Sequence, residues 1–254
     1  MRPLRGLLSG AQRPRARGAG PHSQLRAPKV ALADRAVREH GIRSFADLGA
    51  CWNVHAGYSI GILERHHIAR AYVVDQRITE ETKRAAAGFP QIELRQGLFN
   101  ERSFIEAFPE VDALLMFDIL LHQVDLDWDD FLAEWAPKAR VIVIFNQMWK
   151  AGEQTVRFID NGPDWYREWV PYTDAERLEQ WFRTLGETDR RTGRKRRDQH
   201  NFWQFGITTA DLAAHMRRLS FRLDFFESHG RFHPTKTPWV EEEAFIFVRE
   251  KKSP

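Results

Sequence analysis

The chain of 254 residues contains a single cysteine, Cys51. One cysteine excludes an intrachain disulfide framework and the thiolate clusters that bind structural zinc or iron–sulfur centres. The sequence also lacks the apolar core of about 7–15 residues that a secretory signal requires and the run of about 18 apolar residues that a membrane span requires. These absences fit a protein of the reducing cytoplasm, and we expect no membrane span.

Acidic residues are absent from the first 29 positions, which hold seven of the 38 basic residues and none of the 35 acidic ones. Residues 30–254 therefore carry a formal net charge of −4, although the whole chain carries +3. A nucleic-acid-binding domain usually spreads basic charge over one face, and this charge balance does not indicate one. We predict a disordered basic tail over 1–29, with an organelle transit peptide as the alternative. We predict one domain over 30–254 that does not bind nucleic acid.

Beyond the tail, short apolar runs alternate with helical patterns. Strands are predicted at 43–50, 70–75, 92–95, 112–118 and 140–145, and helices at 58–66, 79–88 and 127–135. Alternation of this kind predicts βαβ units and a parallel sheet. A helix is predicted at 208–219, and it precedes two more strands at 220–228 and 243–250. No helical pattern separates these last two strands, so we expect them to pair antiparallel.

Residues 146–206 interrupt the alternation and are predicted to form an insertion or lid before the late helix. Five tryptophans lie there, at positions 149, 165, 169, 181 and 203, together with a basic cluster at 190–197. Trp149, Tyr172 and Trp203 could wall a pocket for an aromatic or sugar-like molecule. We favour the alternative that most of these aromatic residues pack the insertion onto the sheet. The basic cluster is expected to be a solvated loop, with phosphate or carboxylate binding as the alternative.

A glycine turn followed by an acid is the first sign of a cofactor site. The segment Asp47-Leu-Gly49-Ala-Cys51 ends the first predicted strand, and a helix is predicted to begin soon afterwards. Asp75 ends the next strand, where a carboxylate can accept the two hydroxyl groups of a ribose. In open α/β sheets, ligands bind beyond the carboxyl ends of the strands. The pattern is typical of a nucleotide cofactor site, although the later glycines of Gly-x-Gly-x-x-Gly are missing.

Over about residues 40–250, the order of these segments resembles the class I S-adenosylmethionine (SAM)-dependent methyltransferases. The matching segments are FADLGA (45–50), VVDQ (73–76), RQGLF (95–99), DALLMFDILLH (112–122) and the late helix and strand over 206–228. The resemblance implies an α/β fold with a Rossmann-like seven-stranded sheet of order 3-2-1-4-5-7-6, flanked by helices, in which strand 7 is antiparallel. It also implies SAM as the cofactor.

The resemblance further implies which residues bind the cofactor. They are Asp47, Gly49, Ala50, Cys51, Trp52, Gly57, Asp75, Gln76, Gly97, Leu98 and Phe99, with the segment 96–99 beside the adenine. Cys51 and Asn53 replace glycines of the family pattern, and the segment before the helix is longer than usual. The loop is therefore expected to differ in shape, with Gly57 providing the close approach to the ligand.

Asp118 and His122 are the predicted catalytic residues. The resemblance implies that Asp118 lies where the methionine end or the substrate approaches. His122 follows on the same side of the sheet and is a candidate general base; the alternative is a histidine at a helix start that bonds the backbone. His229 and His233 are weaker candidates for the base. A metal site built from the late histidines is rejected, because they lack ligand spacing and clustered carboxylates.

Cys51 has two interpretations. A thiol near a helix N-terminus has a lowered pKa and is a candidate nucleophile. No histidine and acid at a known spacing supports that role, so packing or cofactor lining is the favoured interpretation.

The sequence therefore predicts a SAM-dependent methyltransferase that acts on a small-molecule or glycan-like acceptor at oxygen or nitrogen. One alternative is a nicotinamide-dependent oxidoreductase, which shares the strand–glycine–helix–acid arrangement. A second is a binding module without catalysis that keeps the fold. The sequence predicts no particular oligomeric state.

Overall fold

The computed structural model describes residues 25–170, 175–190, 193–200, 202–233 and 237–250. The helices are α1 (Ala27–His40), α2 (Gly57–Arg65), α3 (Glu80–Ala86), α4 (Arg102–Glu106), α5 (Trp128–Trp135), α6 (Pro163–Trp169), α7 (Ala175–Arg183) and α8 (Thr209–Arg218). The strands are β1 (Ser44–Leu48), β2 (Arg70–Asp75), β3 (Ile92–Gln96), β4 (Val111–Phe117), β5 (Ala139–Trp149), β6 (Val156–Arg157), β7 (Phe205–Gly206), β8 (Phe221–His233) and β9 (Thr237–Arg249).

Seven of these strands form one sheet in the order β3-β2-β1-β4-β5-β9-β8. Strands β1 to β5 are parallel, and β9 runs antiparallel to both β5 and β8. Counted along the chain within this sheet, the order is 3-2-1-4-5-7-6 with the seventh strand antiparallel, so the predicted fold class is confirmed. The short strands β6 and β7 pair separately, within the inserted segment.

The central strands are buried on both faces, which explains their continuous apolar runs. In β4, Ala113, Leu115 and Phe117 point to the face covered by α1 and α2. Leu114 and Met116 point to the opposite face, where α4, α5 and α8 pack. This alternation follows from the two-residue period of a strand.

Helix α1 was not predicted, and the predicted boundary at residue 30 falls inside it. The helix begins at Ala27 and ends at His40, and it is capped by Gly41, which has the left-handed conformation with φ of 57°. Lys29 and three apolar residues, Leu32, Ala33 and Ala36, form its buried stripe at helical spacing. The domain therefore includes the last part of the predicted tail. The rest of that tail, residues 1–24, lies outside the described residues.

The inserted segment is shorter than predicted, because β5 continues to Trp149. It occupies residues 150–207 and contains β6, α6, α7 and β7. Its buried side chains, such as Phe158, Tyr166 and Trp181, form a separate aromatic cluster with Trp149 at the end of β5. This clustering supports the interpretation that most of these aromatic residues serve packing. Among the helices of the described ranges, none is long and apolar enough to cross a membrane.

Candidate active site

A cleft of about 740 Å³ runs along the carboxyl ends of β1, β2, β4 and β5. Its volume is within the range of about 300–1,000 Å³ that small-molecule sites occupy. Strand order reverses between β1 and β4, which is the point where open α/β sheets place their ligands. Ten of the predicted site residues line this cleft: Asp47, Gly49, Ala50, Trp52, Asp75, Gln76, Leu98, Phe99, Asp118 and His122.

Gly49 is the glycine that the turn after β1 requires. Its φ is +75°, and a Cβ built there would lie 2.9 Å from Cγ2 of Ile119. Both the conformation and the close contact exclude a larger side chain. The loop that follows contains three non-glycine residues with positive φ, namely Asn53, His55 and Ala56. The left-handed turns of this loop are therefore made without the glycines of the usual pattern.

Replacing Gly49 by Ala is expected to reduce the free energy of unfolding more than replacing Gly41 by Ala. Both residues have positive φ, which costs a side-chain-bearing residue roughly 1–2 kcal/mol. Only the new Cβ at position 49 meets a neighbour, since nothing lies within 4 Å of one at position 41. Overpacking adds about 1–3 kcal/mol. Urea denaturation of the two variants measures the difference; equal losses would show that Ile119 moves away freely.

Three predicted cofactor-binding residues do not line the cleft. Cys51 is buried beneath the loop, and burial raises the pKa of its thiol to about 12. Gly57 lies in α2, where a Cβ would lie 2.9 Å from Leu25, so its close approach is to the segment before α1 and not to a ligand. Gly97 allows the ring of Phe104 to pack against the backbone. Cys51 is therefore a packing residue with a protonated thiol, and the two glycines serve contacts within the protein.

Asp75 is held with its carboxylate at the cleft. The backbone amide of Cys51 donates to Oδ2, and the amide of Arg77 donates to Oδ1, each at 3.0 Å. Each carboxylate oxygen keeps further capacity to accept a hydrogen bond. This arrangement can receive two neighbouring hydroxyl groups.

Asp47 is fully buried at the end of β1. The hydroxyl of Ser59, in the first turn of α2, donates to its Oδ2 at 2.7 Å. Burial raises the pKa of Asp47 to about 7, and the Ser59 bond opposes part of that rise. Asp47 therefore fixes α2 against β1 beneath the cleft.

Asp118 follows β4 in the left-handed conformation, with φ of 55°. Its backbone amide donates to the carbonyl of Phe145 at 2.8 Å. The carboxylate forms an ion pair with Lys29 and accepts a hydrogen bond of 2.9 Å from Nε2 of Gln147. Lys29 and Gln147 both line the cleft and were missed by the sequence analysis. Because α1 itself was not predicted, the sequence offered no signal that Lys29 reaches the cleft.

The start of α1 is tied to the edge of the cleft by Arg26. Its guanidinium pairs with both carboxylate oxygens of Glu242 on β9. Its backbone amide donates to the hydroxyl of Tyr58 at 3.1 Å. Arg26 also lines the cleft, so α1 forms one of its walls.

His122 and His200 both line the cleft but differ in the hydrogen bonds that their Nε2 atoms make. His122 Nδ1 lies 2.7 Å from the carbonyl of Phe202. Because a carbonyl only accepts, Nδ1 carries the proton and Nε2 retains the lone pair. Burial lowers the pKa of His122, so its imidazole is neutral at pH 7. The structure thus contains both features that were considered for His122, a backbone hydrogen bond and a place in the cleft.

His200 uses both of its ring nitrogens within the protein. Its Nδ1 donates to the His122 carbonyl at 3.2 Å. Its Nε2 accepts from Asn100 at 3.2 Å and from Arg194 at 3.0 Å. Burial and the nearby Arg194 charge lower the pKa of His200 to about 4. His200 therefore connects the insertion to the sheet and has no nitrogen left to take a proton from a ligand.

The inserted segment forms another wall of the cleft. Most of its contribution is aromatic or apolar, from Tyr166, Val170, Phe202 and Trp203, and its polar contribution comes from Arg177 and His200. Phe232 of β8 also lines the cleft. Of the three aromatic residues considered for such a wall, Trp203 lines the cleft, Trp149 is buried in the aromatic cluster, and Tyr172 lies outside the described residues.

Three residues of the basic cluster at 190–197 pair with acidic side chains. Arg194 pairs with Glu101 and Asp125, Arg196 with Glu187, and Arg197 with Asp160. These pairs support the interpretation as a surface loop. Among the weaker candidates for a base, His229 stacks on Phe145 and is not part of the cleft lining. The side chain of His233 lies outside the described part of the chain.

No model of a known protein family matches the sequence, and no curated protein matches it. Solved structures do share its fold. A 1,6-didemethyltoxoflavin-N1-methyltransferase from Burkholderia thailandensis, with bound 1,6-didemethyltoxoflavin and S-adenosylhomocysteine, superimposes with a TM-score of 0.58 and 13% identity, over 89% of this chain and 79% of that chain.

Two further structures are similar. The N-terminal domain of EvdMO1, in the presence of S-adenosylhomocysteine and D-fucose, has a TM-score of 0.56 and 13% identity, over 89% of this chain and 84% of that chain. Magnesium protoporphyrin IX methyltransferase from Synechocystis, with bound S-adenosylhomocysteine, has a TM-score of 0.51 and 13% identity, over 88% of this chain and 82% of that chain. The chain thus has the Rossmann-like fold of the class I SAM-dependent methyltransferases.

Proposed function

We propose that the protein is a SAM-dependent methyltransferase that acts on a small-molecule acceptor. The observation that carries the proposal is one cleft at the carboxyl edge of β1, β2 and β4, with Asp75 in one part and His122 in another. The fold shared with methyltransferases that contain S-adenosylhomocysteine supports the same conclusion.

The side chains of the cleft fit SAM. The Asp75 carboxylate suits the two ribose hydroxyls, and Leu98 with Phe99 provides apolar surface for the adenine. Asp118 and Lys29 offer charges of both signs for an amino-acid group. When bound, SAM supplies an activated methyl group on a sulfonium, so that the protein's task is to orient the partners and to move a proton.

The aromatic wall of the insertion fits a ring-shaped acceptor, either aromatic or sugar-like. Flat apolar side chains such as Phe202 and Trp203 pack well against such rings. Among the similar structures, one contains 1,6-didemethyltoxoflavin and another was obtained with D-fucose. Both are small ring compounds, which agrees with a small-molecule acceptor for this protein.

We assign His122 as the general base. Nδ1 donates to the Phe202 carbonyl, so Nε2 can take a proton from the acceptor. An acceptor hydroxyl must lose a proton as its oxygen gains the methyl group, whereas a neutral nitrogen acceptor does not need a base before the transfer. The state of His122 therefore favours methylation of oxygen.

A ligand-induced shift in thermal unfolding tests the function. SAM and S-adenosylhomocysteine are expected to stabilise the protein, because a ligand at one hundred times its Kd adds about 2.7 kcal/mol to the free energy of unfolding. For a chain of this size, that gain corresponds to an increase of about 5–10 °C in Tm. NADPH at the same concentration is the control and is expected to give no shift.

The outcome of this experiment separates the three candidate functions. A shift with NADH or NADPH alone would replace the proposal by the oxidoreductase. No shift with any of these ligands would favour the binding module.

A further inference from the structure

Lys29 is nearly enclosed by the protein, with 6% of its side chain exposed. It occupies a buried position of α1 where the helical spacing would accept an apolar residue. Placing an ammonium away from water costs several kcal/mol unless a partner compensates. The presence of lysine at this position therefore calls for a specific interaction.

The surroundings of the Lys29 ammonium stabilise a positive charge. Its Nζ lies 5.8, 5.9 and 5.3 Å from the ring centres of Tyr58, Phe117 and Phe145. Aromatic faces attract a cation at these distances. Asp118 completes the surroundings as the ion-pair partner, and both charged side chains line the cleft.

The pair lies where the amino-acid end of SAM would reach, and this step rests on the proposed function. With the ribose on Asp75 of β2 and the adenine beside Leu98, the rest of the cofactor extends past Gly49 of β1. Because β1 and β4 are neighbours in the sheet, the next group that it meets is Asp118, directly after β4.

We propose that Lys29 and Asp118 together bind the zwitterionic amino-acid group of SAM. The Lys29 ammonium binds the carboxylate, and the Asp118 carboxylate binds the α-ammonium. When the zwitterion binds, two ion pairs to the ligand, one from Lys29 and one from Asp118, replace the ion pair between these two side chains. The charges in the cleft therefore remain balanced. Gln147 keeps Asp118 in place through its 2.9 Å hydrogen bond, and the pairing of Arg26 with Glu242 keeps α1 in place.

This arrangement makes α1 a determinant of cofactor specificity. A ligand that retains both charges uses both side chains, and a ligand that has lost its carboxylate no longer uses Lys29. An ion pair or charged hydrogen bond of this kind contributes about 1.5–3 kcal/mol, which corresponds to an affinity change of about tenfold or more.

Calorimetric binding of three ligands tests the assignment. S-adenosylhomocysteine carries both charges, its decarboxylated form carries only the ammonium, and 5′-methylthioadenosine carries neither. Lys29→Met is expected to weaken S-adenosylhomocysteine about tenfold or more and to change the other two less than twofold. Asp118→Asn is expected to weaken the first two ligands and to spare 5′-methylthioadenosine.

Lys83→Met is the matched control, because Lys83 is an exposed lysine of α3 outside the cleft; it should leave all three affinities unchanged. Unaltered binding of 5′-methylthioadenosine also shows that a variant is folded. Equal weakening of all three ligands by Lys29→Met, or no weakening of any, would overturn the assignment. If the wild-type protein binds none of the three, the proposed function itself fails. If it binds all three equally, only the assignment of Lys29 and Asp118 fails.

Discussion

Turnover of the His122→Asn variant is expected to fall at least a hundredfold, with little change in affinity for S-adenosylhomocysteine. General bases of this kind contribute about 10²–10⁴-fold to rate. Asparagine keeps an N–H donor that can reach the Phe202 carbonyl, 2.7 Å from His122 Nδ1 in the wild type. Asparagine lacks the basic Nε2. The expected loss of turnover therefore comes from proton transfer and not from a displacement of the segment that contains Phe202. Single-turnover rates with a hydroxyl acceptor, alongside calorimetric Kd values, measure the two effects separately.

His67→Asn is a suitable control, since His67 is an exposed histidine remote from the cleft lining. The pH profile gives an independent check. Burial lowers the pKa of His122, so the imidazole remains neutral and active when the pH falls to the ordinary imidazole pKa of about 6.5. Turnover should therefore hold to a lower pH than an exposed histidine would allow. Wild-type turnover in His122→Asn would exclude His122 as the base.

Replacing Asp75 by Ala is expected to weaken SAM binding more than tenfold, and about a hundredfold if both ribose hydrogen bonds depend on it. A hydrogen bond to a charged group contributes about 1.5–3 kcal/mol, and tenfold in affinity is about 1.4 kcal/mol. The variant also loses the two backbone bonds from Cys51 and Arg77, so the thermal stability of the unliganded protein must be measured as well.

Glu93→Ala provides the comparison for Asp75, because Glu93 is an acid of the adjacent strand β3 that does not line the cleft. It should leave the Kd for SAM unchanged. A second comparison uses ligands: adenosine, which has the ribose, should lose affinity for Asp75→Ala, and free adenine should not. Unchanged affinity for SAM in Asp75→Ala would contradict the ribose role.

The sheet could be predicted from the sequence because its central strands carry their signal locally. A strand buried on both faces needs a continuous run of apolar side chains, as over 113–117 of β4 and 141–145 of β5. Such runs are visible without knowledge of their neighbours. The position of Asp75 at the end of β2 and of Gly49 after β1 follows directly from these runs. Other cleft-lining residues, such as Leu98 and Phe99, were implied by the resemblance to the methyltransferases, whose matching segments follow the same strands.

Helix α1 could not be predicted from apolar spacing, because Lys29 interrupts its buried stripe. Lys29, which interrupts the apolar pattern of α1, is also the residue of α1 whose side chain reaches the cleft. Its partner Asp118 is 89 residues away in sequence, and only the arrangement of α1 across the ends of β4 and β5 brings the two together. A pairing of this kind has no signature at short range.

The roles of the glycines depended on contacts that the sequence does not contain. Gly57 and Gly97 resemble loop glycines of a ligand site, but they accommodate the side chains of Leu25 and Phe104. Conversely, the loop reaches left-handed conformations at Asn53, His55 and Ala56, which the absence of glycine did not suggest. Tertiary packing decided both cases, as it also decided the tautomer of His122 through a carbonyl 80 residues away.

The separate aromatic cluster of the inserted segment has a consequence for how such a protein can evolve. Its buried side chains, such as Phe158 and Tyr166, pack among themselves and against the ends of β5 and β9. A substitution there reshapes one wall of the cleft and leaves the turn after β1 and the end of β2 as they are. Under the proposed function, such a change would alter acceptor preference and retain cofactor preference. After gene duplication, changes confined to residues 150–207 would give the shortest route to a descendant with a new acceptor.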